Sequence, residues 1–196
     1  LSTRRQRQMC IRDRGSVLLQ VLDDAWESYR RRQEGPLHQG DILAGHQIHE
    51  AIGAGGFGVV YRATDGARDV AIKVPWLRGD VNEALHRFER EQKAGKVVEH
   101  PNLMPVYQTG VSSSCPFLIM KYVSPGPFGG RTLADLFRYE RESQGTTLVT
   151  VELLLGIARG LNALHAKGYY HRDVKPANIL LEHSDGNIRP LVSDLG

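Results

Sequence analysis

The period of the hydrophobic residues changes along the chain. Residues 17–32 are predicted to form an amphipathic helix, because apolar residues recur there at the spacing of one helix face. These residues are Leu18, Leu22, Ala25, Trp26 and Tyr29. Pro36, Gly40 and Gly45 then interrupt any regular period, so residues 36–46 are expected to form a linker.

From residue 48 onward the apolar residues occur in short runs that have the length of β-strands. Strands are predicted at 48–52, 59–63, 69–74, 103–108 and 117–123, with one helix over 81–99 among them. A loop rich in Gly and Pro at 124–130 precedes predicted helices at 132–140 and 150–167 and strands at 179–181 and 189–193. We therefore expect an α+β chain with a small β-rich lobe, a hinge and a helical lobe.

Composition narrows the class of protein. The 196 residues are 41% hydrophobic and 24% charged, which is typical of a globular chain and excludes a disordered or fibrous one. No apolar run reaches the roughly 18–20 residues that span a bilayer. Two cysteines cannot build a disulfide framework, so we expect a reducing compartment and a cytoplasmic location for this segment. The full-length protein could still be anchored to a membrane through a segment outside these 196 residues.

The net charge of +3 originates in the first 14 residues, which contain five arginines and one aspartate. The remaining residues carry −1, so we expect no nucleic-acid partner. Residues 8–14, Gln-Met-Cys-Ile-Arg-Asp-Arg, resemble the translation of an adapter used in sequencing libraries. Residues 1–14 are therefore interpreted as a scar of assembly and are excluded from the fold prediction.

A glycine-rich motif, Gly53-Ala54-Gly55-Gly56-Phe57-Gly58, connects two predicted strands. Because β-branched and aromatic residues follow it, the motif is a strand–turn–strand loop and not the strand–turn–helix loop of dinucleotide-binding folds. Small residues allow such a loop to lie close to phosphate groups, but a plain glycine hairpin has the same pattern. On this motif alone both interpretations stay open.

Lys73 ends the apolar strand run Val70-Ala71-Ile72-Lys73. Glu91 follows on the apolar face of the next predicted helix, and a carboxylate on a buried face needs a cation. A pair of Lys73 and Glu91 would direct the ammonium group toward the phosphates of a nucleotide. The alternative is an ordinary surface lysine that has no contact with Glu91.

The most specific segment is His171-Arg172-Asp173-Val174-Lys175-Pro176-Ala177-Asn178. Asp173 supplies a base, Lys175 a cation for phosphate, and Asn178 an amide oxygen for a hard metal ion. In the closing Ser193-Asp194-Leu195-Gly196, Asp194 can hold Mg²⁺. The four motifs occur in this order and in the predicted strand, helix and loop contexts, which chance does not explain.

Through these motifs, residues 48–196 resemble the first part of a eukaryotic-like (Hanks-type) Ser/Thr protein kinase catalytic domain of bacterial style. The resemblance implies a two-lobed protein-kinase-like fold, with a complete small lobe and the first part of the helical lobe. It implies an N-terminal helix and linker at 15–45 and a kinase domain at 46–196. Within that domain the small lobe would cover 46–120, the hinge 121–130 and the partial helical lobe 131–196.

The resemblance also implies a site for ATP. Gly53, Gly55 and Gly58 would cover the phosphates, and Met120 would be the gatekeeper beside the adenine. The backbones of Lys121 and Val123 would bind the adenine by hydrogen bonds. The apolar residues around the adenine would be Ile52, Val60, Ala71 and Leu180.

The catalytic groups implied by the resemblance carry charge. Lys73 would hold the α- and β-phosphates with Glu91 fixing it, Asp173 would accept the proton of the substrate hydroxyl, and Lys175 would stabilise the γ-phosphate. Asn178 and Asp194 would bind Mg²⁺. Lys175, two residues after Asp173, resembles the Ser/Thr-kinase pattern. The expected activity is therefore transfer of the ATP γ-phosphate to Ser or Thr hydroxyls of protein substrates.

Several positions depart from the family pattern. Lys121 stands where the family frequently has Glu, although the role there belongs to the backbone. Leu195 replaces the usual Phe of the magnesium tripeptide, and it is apolar enough to pack. Gly95 follows Glu91 by one turn, where the family normally has a bulky apolar residue. It predicts a gap beside Val106, a loosely held helix and a readily populated inactive state, since glycine also weakens helices.

The activation loop and the later helices of the family do not occur in these 196 residues. We therefore expect the 196-residue polypeptide alone to be unstable and inactive, because its last long helix would expose apolar surface. The resemblance identifies neither a dimer nor a regulatory partner.

Two alternative functions stay open. A nucleotide-binding pseudokinase or scaffold would bind ATP without transferring phosphate, and Gly95 and Leu195 are the residues that favour it. A small-molecule phosphotransferase of kinase-like fold shares the spacing of Asp173 and Asn178. Such enzymes usually lack the Arg172-Asp173-x-Lys175-Pro176 sequence, so a panel of peptide and metabolite substrates distinguishes them.

Overall fold

The computed structural model describes residues 36–55, 58–76, 81–112, 115–143, 151–184 and 186–195. The predicted helix at 17–32 and the adapter-like residues 1–14 lie outside these ranges. The strands are β1 (Ile42–Leu43), β2 (His46–Gly55), β3 (Gly58–Thr64), β4 (Asp69–Pro75), β5 (Val106–Ser112), β6 (Cys115–Lys121), β7 (Ile179–Ser184) and β8 (Asn187–Val192). The helices are α1 (Val81–Val97), α2 (Leu133–Ser143), α3 (Val151–His165) and a 3₁₀ turn at Pro176–Asn178.

The first six strands form one antiparallel sheet in the order β1-β2-β3-β4-β6-β5, and α1 lies between β4 and β5 in the chain. We call this part the small lobe. Apolar side chains of adjacent strands, among them Ile48, Val59, Tyr61 and Ile72, are fully buried in its core. In the sheet, Lys73 on β4 lies opposite Val60 on β3 and Leu118 on β6, so the sheet fixes its backbone from both sides.

The expected linker at 36–46 differs from the structure near its end. Ile42–Leu43 forms the short strand β1, which pairs with β2, and Leu43 is buried in the sheet core. The backbone N–H of Leu37 donates to the hydroxyl of Tyr61 at 3.2 Å. A short apolar run can therefore extend the sheet edge even among glycines, because the burial of Leu43 stabilises the pairing.

Strand β5 begins three residues later than predicted. Pro105 has no N–H for a sheet ladder, and the residues before it bond elsewhere. The N–H of Met104 donates to the carbonyl of Val192 at 2.9 Å, and the N–H of Val192 donates to the carbonyl of Asn102 at 2.9 Å. The segment 98–105, which connects α1 to β5, is thereby attached to β8.

Helices α2 and α3 and the hairpin β7–β8 form the helical lobe. Its core contains Leu136, Leu164, Leu181 and Val192, together with Ala94 from the end of α1. Helix α2 begins with a capping box, since Asp135 accepts hydrogen bonds from the backbone N–H and the hydroxyl of Thr132, and the N–H of Asp135 donates to that hydroxyl.

Helix α3 packs closely on the segment 98–105 through two glycines. A Cβ at Gly160 would lie 2.7 Å from the carbonyl oxygen of Asn102, and one at Gly156 would lie 2.7 Å from Pro190. On α3, Val151, Leu154 and Leu155 are exposed to solvent. Within the described ranges, no helix has the length and apolar character needed to cross a membrane. The α+β class and the division into a sheet lobe and a helical lobe are confirmed.

Candidate active site

A buried ion network lies at the boundary of the two lobes. The ammonium group of Lys73 donates to Glu91 Oε2 at 2.7 Å and Oε1 at 2.8 Å, and to Asp194 Oδ1 at 2.6 Å. Lys73 and Glu91 are only 4% and 8% exposed. The network joins β4, α1 and the segment after β8, as the sequence predicted for the first pair.

The two carboxylates keep Lys73 charged. Burial alone would lower the pKa of Lys73, but Glu91 and Asp194 outweigh it and raise the pKa above its usual value. The ammonium group has three N–H donors and gives all of them to these carboxylates, so a phosphate that bound Lys73 would replace one of the three contacts. Asp194 is the more exposed of the two carboxylates, with 37% of its side chain accessible.

The gap predicted at Gly95 is absent. A Cβ built on Gly95 would lie 2.4 Å from Cγ2 of Val106, so the Val106 side chain already occupies the space that a larger residue would fill. Leu195, the replacement for phenylalanine, is 6% exposed and packs in the same core as Ala94 and Leu103. The prediction of a gap was wrong because the sequence named Val106 as the neighbour of Gly95 but does not reveal how closely the two residues approach.

The catalytic-loop residues lie near the surface and contact each other. Lys175 Nζ donates to Asp173 Oδ2 at 2.5 Å, and Asn178 Nδ2 donates to the Asp173 carbonyl at 2.9 Å. The side chains of Asp173 and Lys175 are 43% and 48% exposed. The hydrogen bond from Lys175 lowers the pKa of Asp173, and Asn178 adds to this effect, so Asp173 is a carboxylate at neutral pH.

His171 and Ser193 connect this loop to the ion network. His171 is buried, and its Nε2 lies 2.8 Å from the carbonyl of Ser193. The backbone N–H and the hydroxyl of Ser193 both donate to the backbone carbonyl of Asn178, at 2.9 and 3.0 Å. These contacts place Asn178 beside the residue that precedes Asp194, which brings the two predicted metal ligands to the same end of the β7–β8 hairpin.

The predicted adenine residues share one apolar cluster between the lobes, which we call the interlobe cluster. Ala71, Met120 and Val123 are buried in it, and Ile52, Val60 and Leu180 are partly buried against it. Its members come from β2, β3, β4, the β6 end and β7, so both lobes contribute a wall.

The three glycines of the predicted phosphate loop are not equivalent. At Gly53 and Gly55 an added Cβ would meet no described atom within 4 Å, whereas at Gly58 it would lie 2.3 Å from the carbonyl oxygen of Val74. Gly58 is therefore required for the close packing of β3 on β4. The indole of Trp76 donates to the Gly55 carbonyl at 2.8 Å, a contact that no sequence pattern indicated.

The hinge has side-chain contacts that sequence reasoning did not find. Lys121 forms an ion pair with Glu182 on β7. Arg131 Nε donates to the carbonyl of Val123 at 3.1 Å, and Arg131 Nη2 donates to the hydroxyl of Tyr122 at 3.2 Å. These partners are distant in sequence, and no periodic pattern relates them.

Taken together, an antiparallel sheet lobe, a helical lobe and an ion network at their boundary are the features of the protein-kinase fold. Comparison with known proteins agrees. The family model of the protein kinase domain matches residues 46–196. The chain belongs to this family.

Curated relatives include two serine/threonine-protein kinases of Mycobacterium tuberculosis. The chain is similar to PknJ, with 35% identity over 166 residues that cover 82% of this chain and 26% of PknJ. It is also similar to PknK, with 40% identity over 155 residues that cover 77% of this chain and 13% of PknK. The chain thus spans about a quarter or less of the length of these relatives.

A solved structure gives the same result for the fold. The crystal structure of the Mycobacterium tuberculosis PknI kinase domain superposes with a TM-score of 0.62 at 26% identity. The superposition covers 81% of this chain and 62% of that domain. The two-lobed protein-kinase-like fold that the resemblance implied is therefore confirmed.

Proposed function

We propose that the protein to which this chain belongs transfers the γ-phosphate of ATP to Ser or Thr hydroxyls of protein substrates. The observation that carries this proposal is the buried Lys73 network, which lies at the boundary between the lobes where the interlobe cluster also packs. The network unites the lysine, the helix glutamate and the predicted metal ligand Asp194, which are the groups that phosphoryl transfer needs around the phosphates of a nucleotide. The names of the relatives PknJ and PknK support Ser/Thr specificity.

Each residue has a physical task in this proposal. The interlobe cluster, including Met120 as gatekeeper, excludes water from the adenine, and the backbones of Lys121 and Val123 bind its edge. Gly53 and Gly55 leave room over the phosphates, while Lys73 binds the α- and β-phosphates.

At the catalytic loop, Asp173 orients the substrate hydroxyl and accepts its proton. Its lowered pKa suits this task because the carboxylate is present over the neutral range. Lys175, already 2.5 Å from Asp173, neutralises charge on the transferred group. Both side chains are accessible enough to meet a protein substrate.

The donor set fits Mg²⁺. Asn178 uses its amide nitrogen on Asp173, which leaves its amide oxygen for a metal, and Asp194 uses Oδ1 on Lys73, which leaves Oδ2. Oxygen ligands of this kind suit a hard divalent cation. When bound, Mg²⁺ would neutralise phosphate charge.

We further propose the domain division that the resemblance implied. The kinase domain would comprise the small lobe at 46–120, the hinge at 121–130 and helical-lobe residues at 131–196, in a cytoplasmic setting. The expected inactivity of the 196 residues alone stays a prediction. The exposed apolar residues of α3 support it.

The test uses the full-length protein with ATP, Mg²⁺ and a panel of Ser-, Thr- and Tyr-containing peptides and small hydroxyl metabolites. We expect phosphate transfer to Ser or Thr peptides. Asp173→Asn should abolish transfer and leave the Kd for ATP within about twofold, since the change keeps shape and removes the base. Nucleotide binding without transfer to any hydroxyl would favour a pseudokinase, and transfer to metabolites alone would contradict the proposed substrate class.

A further inference from the structure

We propose that Glu182 is a positioning residue for the nucleotide, which acts through its ion pair with Lys121 across the hinge. The proposal rests on the proposed function, because it assumes that the Lys121 backbone binds adenine. Glu182 touches no reacting group. It would hold the hinge in the geometry that the nucleotide requires.

The ion pair joins the two lobes. Lys121 is the last residue of β6 in the small lobe, and Glu182 is the fourth residue of β7 in the helical lobe. The Lys121 ammonium contacts Glu182 Oε1, and the two side chains are 30% and 15% exposed. Because the carboxylate is largely shielded from water, the attraction is screened less than that of a surface pair.

The position of Glu182 relates it to the cleft. Leu180 and Glu182 are two residues apart on one strand, so their side chains point to the same face of the hairpin. Leu180 packs against the interlobe cluster, where the adenine would lie. Glu182 therefore lies at the hinge end of the same wall, where it reaches Lys121.

The backbone of Lys121 is fixed from a second direction. Its N–H donates to the carbonyl of Pro105 at 3.0 Å. With the N–H bound to the small lobe and the ammonium bound to the helical lobe, the residue has little freedom to rotate. Orientation of a binding group before the ligand arrives reduces the entropy cost of binding.

The neighbouring hinge residue is restrained in a similar way. The ring of Tyr122 has the guanidinium of Arg62, on β3, at 5.4 Å from its centroid and that of Arg131, after the hinge, at 5.6 Å. Both distances are within the range of a cation–π contact. Each of these two consecutive hinge residues thus contacts a charged residue of the helical lobe, Glu182 for Lys121 and Arg131 for Tyr122.

Glu182 also provides its own control. Arg189 lies opposite Glu182 in the β7–β8 hairpin and donates to Oε2 at 2.5 and 2.9 Å. This second cation contacts the same carboxylate but does not cross the hinge. Removal of either cation leaves Glu182 with one partner, but only the removal of Lys121 breaks the ion pair across the hinge.

The experiment compares Lys121→Met, Glu182→Gln and Arg189→Met in the full-length protein. The Kd for the ATP analogue adenylyl imidodiphosphate with Mg²⁺ is measured by calorimetry, and KM for ATP and kcat are measured with a peptide substrate. We expect Lys121→Met and Glu182→Gln to raise Kd and KM about three- to tenfold, with kcat at saturating ATP within about twofold. Arg189→Met should leave all three values within about twofold.

A charge-inverted triple variant, Lys121→Glu with Glu182→Lys and Arg189→Glu, restores both ion pairs. We expect its Kd to return to within about threefold of the original value, which a merely structural loss would not do. Equal effects of Lys121→Met and Arg189→Met, or an unchanged Kd in Lys121→Met, would overturn the proposal. Failure of the unmodified protein to bind the nucleotide would instead overturn the proposed function itself.

Discussion

The cleft contains two charged clusters that differ in their contact with water. The side chains of Lys73 and Glu91 are 6% and 10% exposed, and they meet with Asp194 between a strand, a helix and the end of β8. Asp173 and Lys175 form an equally short pair, yet their side chains are about half exposed. The buried cluster lies among packed elements of both lobes. The exposed cluster lies on a loop, and buried neighbours such as His171 hold that loop in place.

Because of this difference, we expect substitutions in the two clusters to have different effects on folding and on phosphate transfer. A charge removed from a buried pair leaves its partner unpaired in a medium that cannot solvate it, which costs several kcal/mol. A charge removed from an exposed pair is replaced by water. The first cluster should therefore tolerate substitution poorly for folding, and the second should tolerate it well for folding and poorly for phosphate transfer.

The largest expected effect is that of Glu91→Gln. It removes the charged partner from two of the three hydrogen bonds around Lys73 and leaves Asp194 as the remaining carboxylate, so we expect a loss of about 2–3 kcal/mol in the free energy of unfolding. The measurement is thermal unfolding of the full-length protein. Glu89→Gln is the matched control on the same helix, because the Glu89 side chain is 57% exposed. A shift no larger than that of the control would show that the two clusters do not differ as described.

The next effect tests the packing behind the buried cluster. Gly95→Ala places a methyl group against Val106, and we expect a loss of about 1–3 kcal/mol from overpacking. Val106→Ala in the same chain should recover most of this loss, since it vacates the contested space. If Gly95→Ala proves stabilising, the contact at 2.4 Å relaxes easily and the glycine is a helix defect after all.

A smaller effect is expected at the capping box of α2. Asp135→Ala should cost about 1 kcal/mol, because it removes the carboxylate that accepts hydrogen bonds from the backbone N–H groups of Arg131 and Thr132, while the Thr132 hydroxyl still caps the helix. Arg138→Met is the control, as it removes only an exposed partner of Asp135 at 3.6 Å.

The same site predicts a dependence on pH. Burial would raise the pKa of Asp135, but hydrogen bonds from Thr132 and Arg131 outweigh it and lower the pKa. A lowered pKa in the folded state means that the contribution is present above the usual pKa of about 4 and is lost as the pH falls below it. Unfolding of Asp135→Ala should therefore vary less with pH below 4 than that of the unmodified protein.

The smallest effect on folding is expected at the exposed cluster. Lys175→Met should change the free energy of unfolding by no more than about 0.5 kcal/mol, and kcat should fall at least about 100-fold if Lys175 stabilises the transferred phosphate. Thermal unfolding and peptide phosphorylation of one preparation give both values. A large loss of stability here would mean that Asp173 and Lys175 belong to the packing of the lobe.

The sequence was sufficient to predict a contact where a charged residue lies among apolar ones. A carboxylate on the apolar face of α1 and a lysine at the end of an apolar strand each require a partner, and this requirement paired Glu91 with Lys73 across 18 residues. The alternation of strands and helices was likewise predictable, because each element has its own hydrophobic period.

Other features depend on approach distances that no local pattern encodes. For Gly95 the sequence identified Val106 as the neighbour, but the distance between them, which leaves no space for a larger side chain, depends on how α1 packs on β5. Lys121 and Glu182 are ordinary charged residues in sequence, and only the return of β7 beneath the hinge brings them together. Strand β5 was predicted too early because the bonds of residues 102–104 to β8 are not visible in their own sequence.

The attachment of the segment 98–105 to β8 affects how the two lobes can move relative to each other. It belongs to the small lobe by its order in the chain, but Met104 and Asn102 exchange backbone bonds with Val192, and Asn102 Nδ2 donates to the carbonyl of Pro190 at 3.0 Å. These bonds add to the Lys73–Asp194 and Lys121–Glu182 ion pairs, which also join the lobes. Because the segment is bonded to β8, it should keep its place on the helical lobe when the sheet moves relative to that lobe, and the displacement is then taken up where the segment continues into α1 and β5.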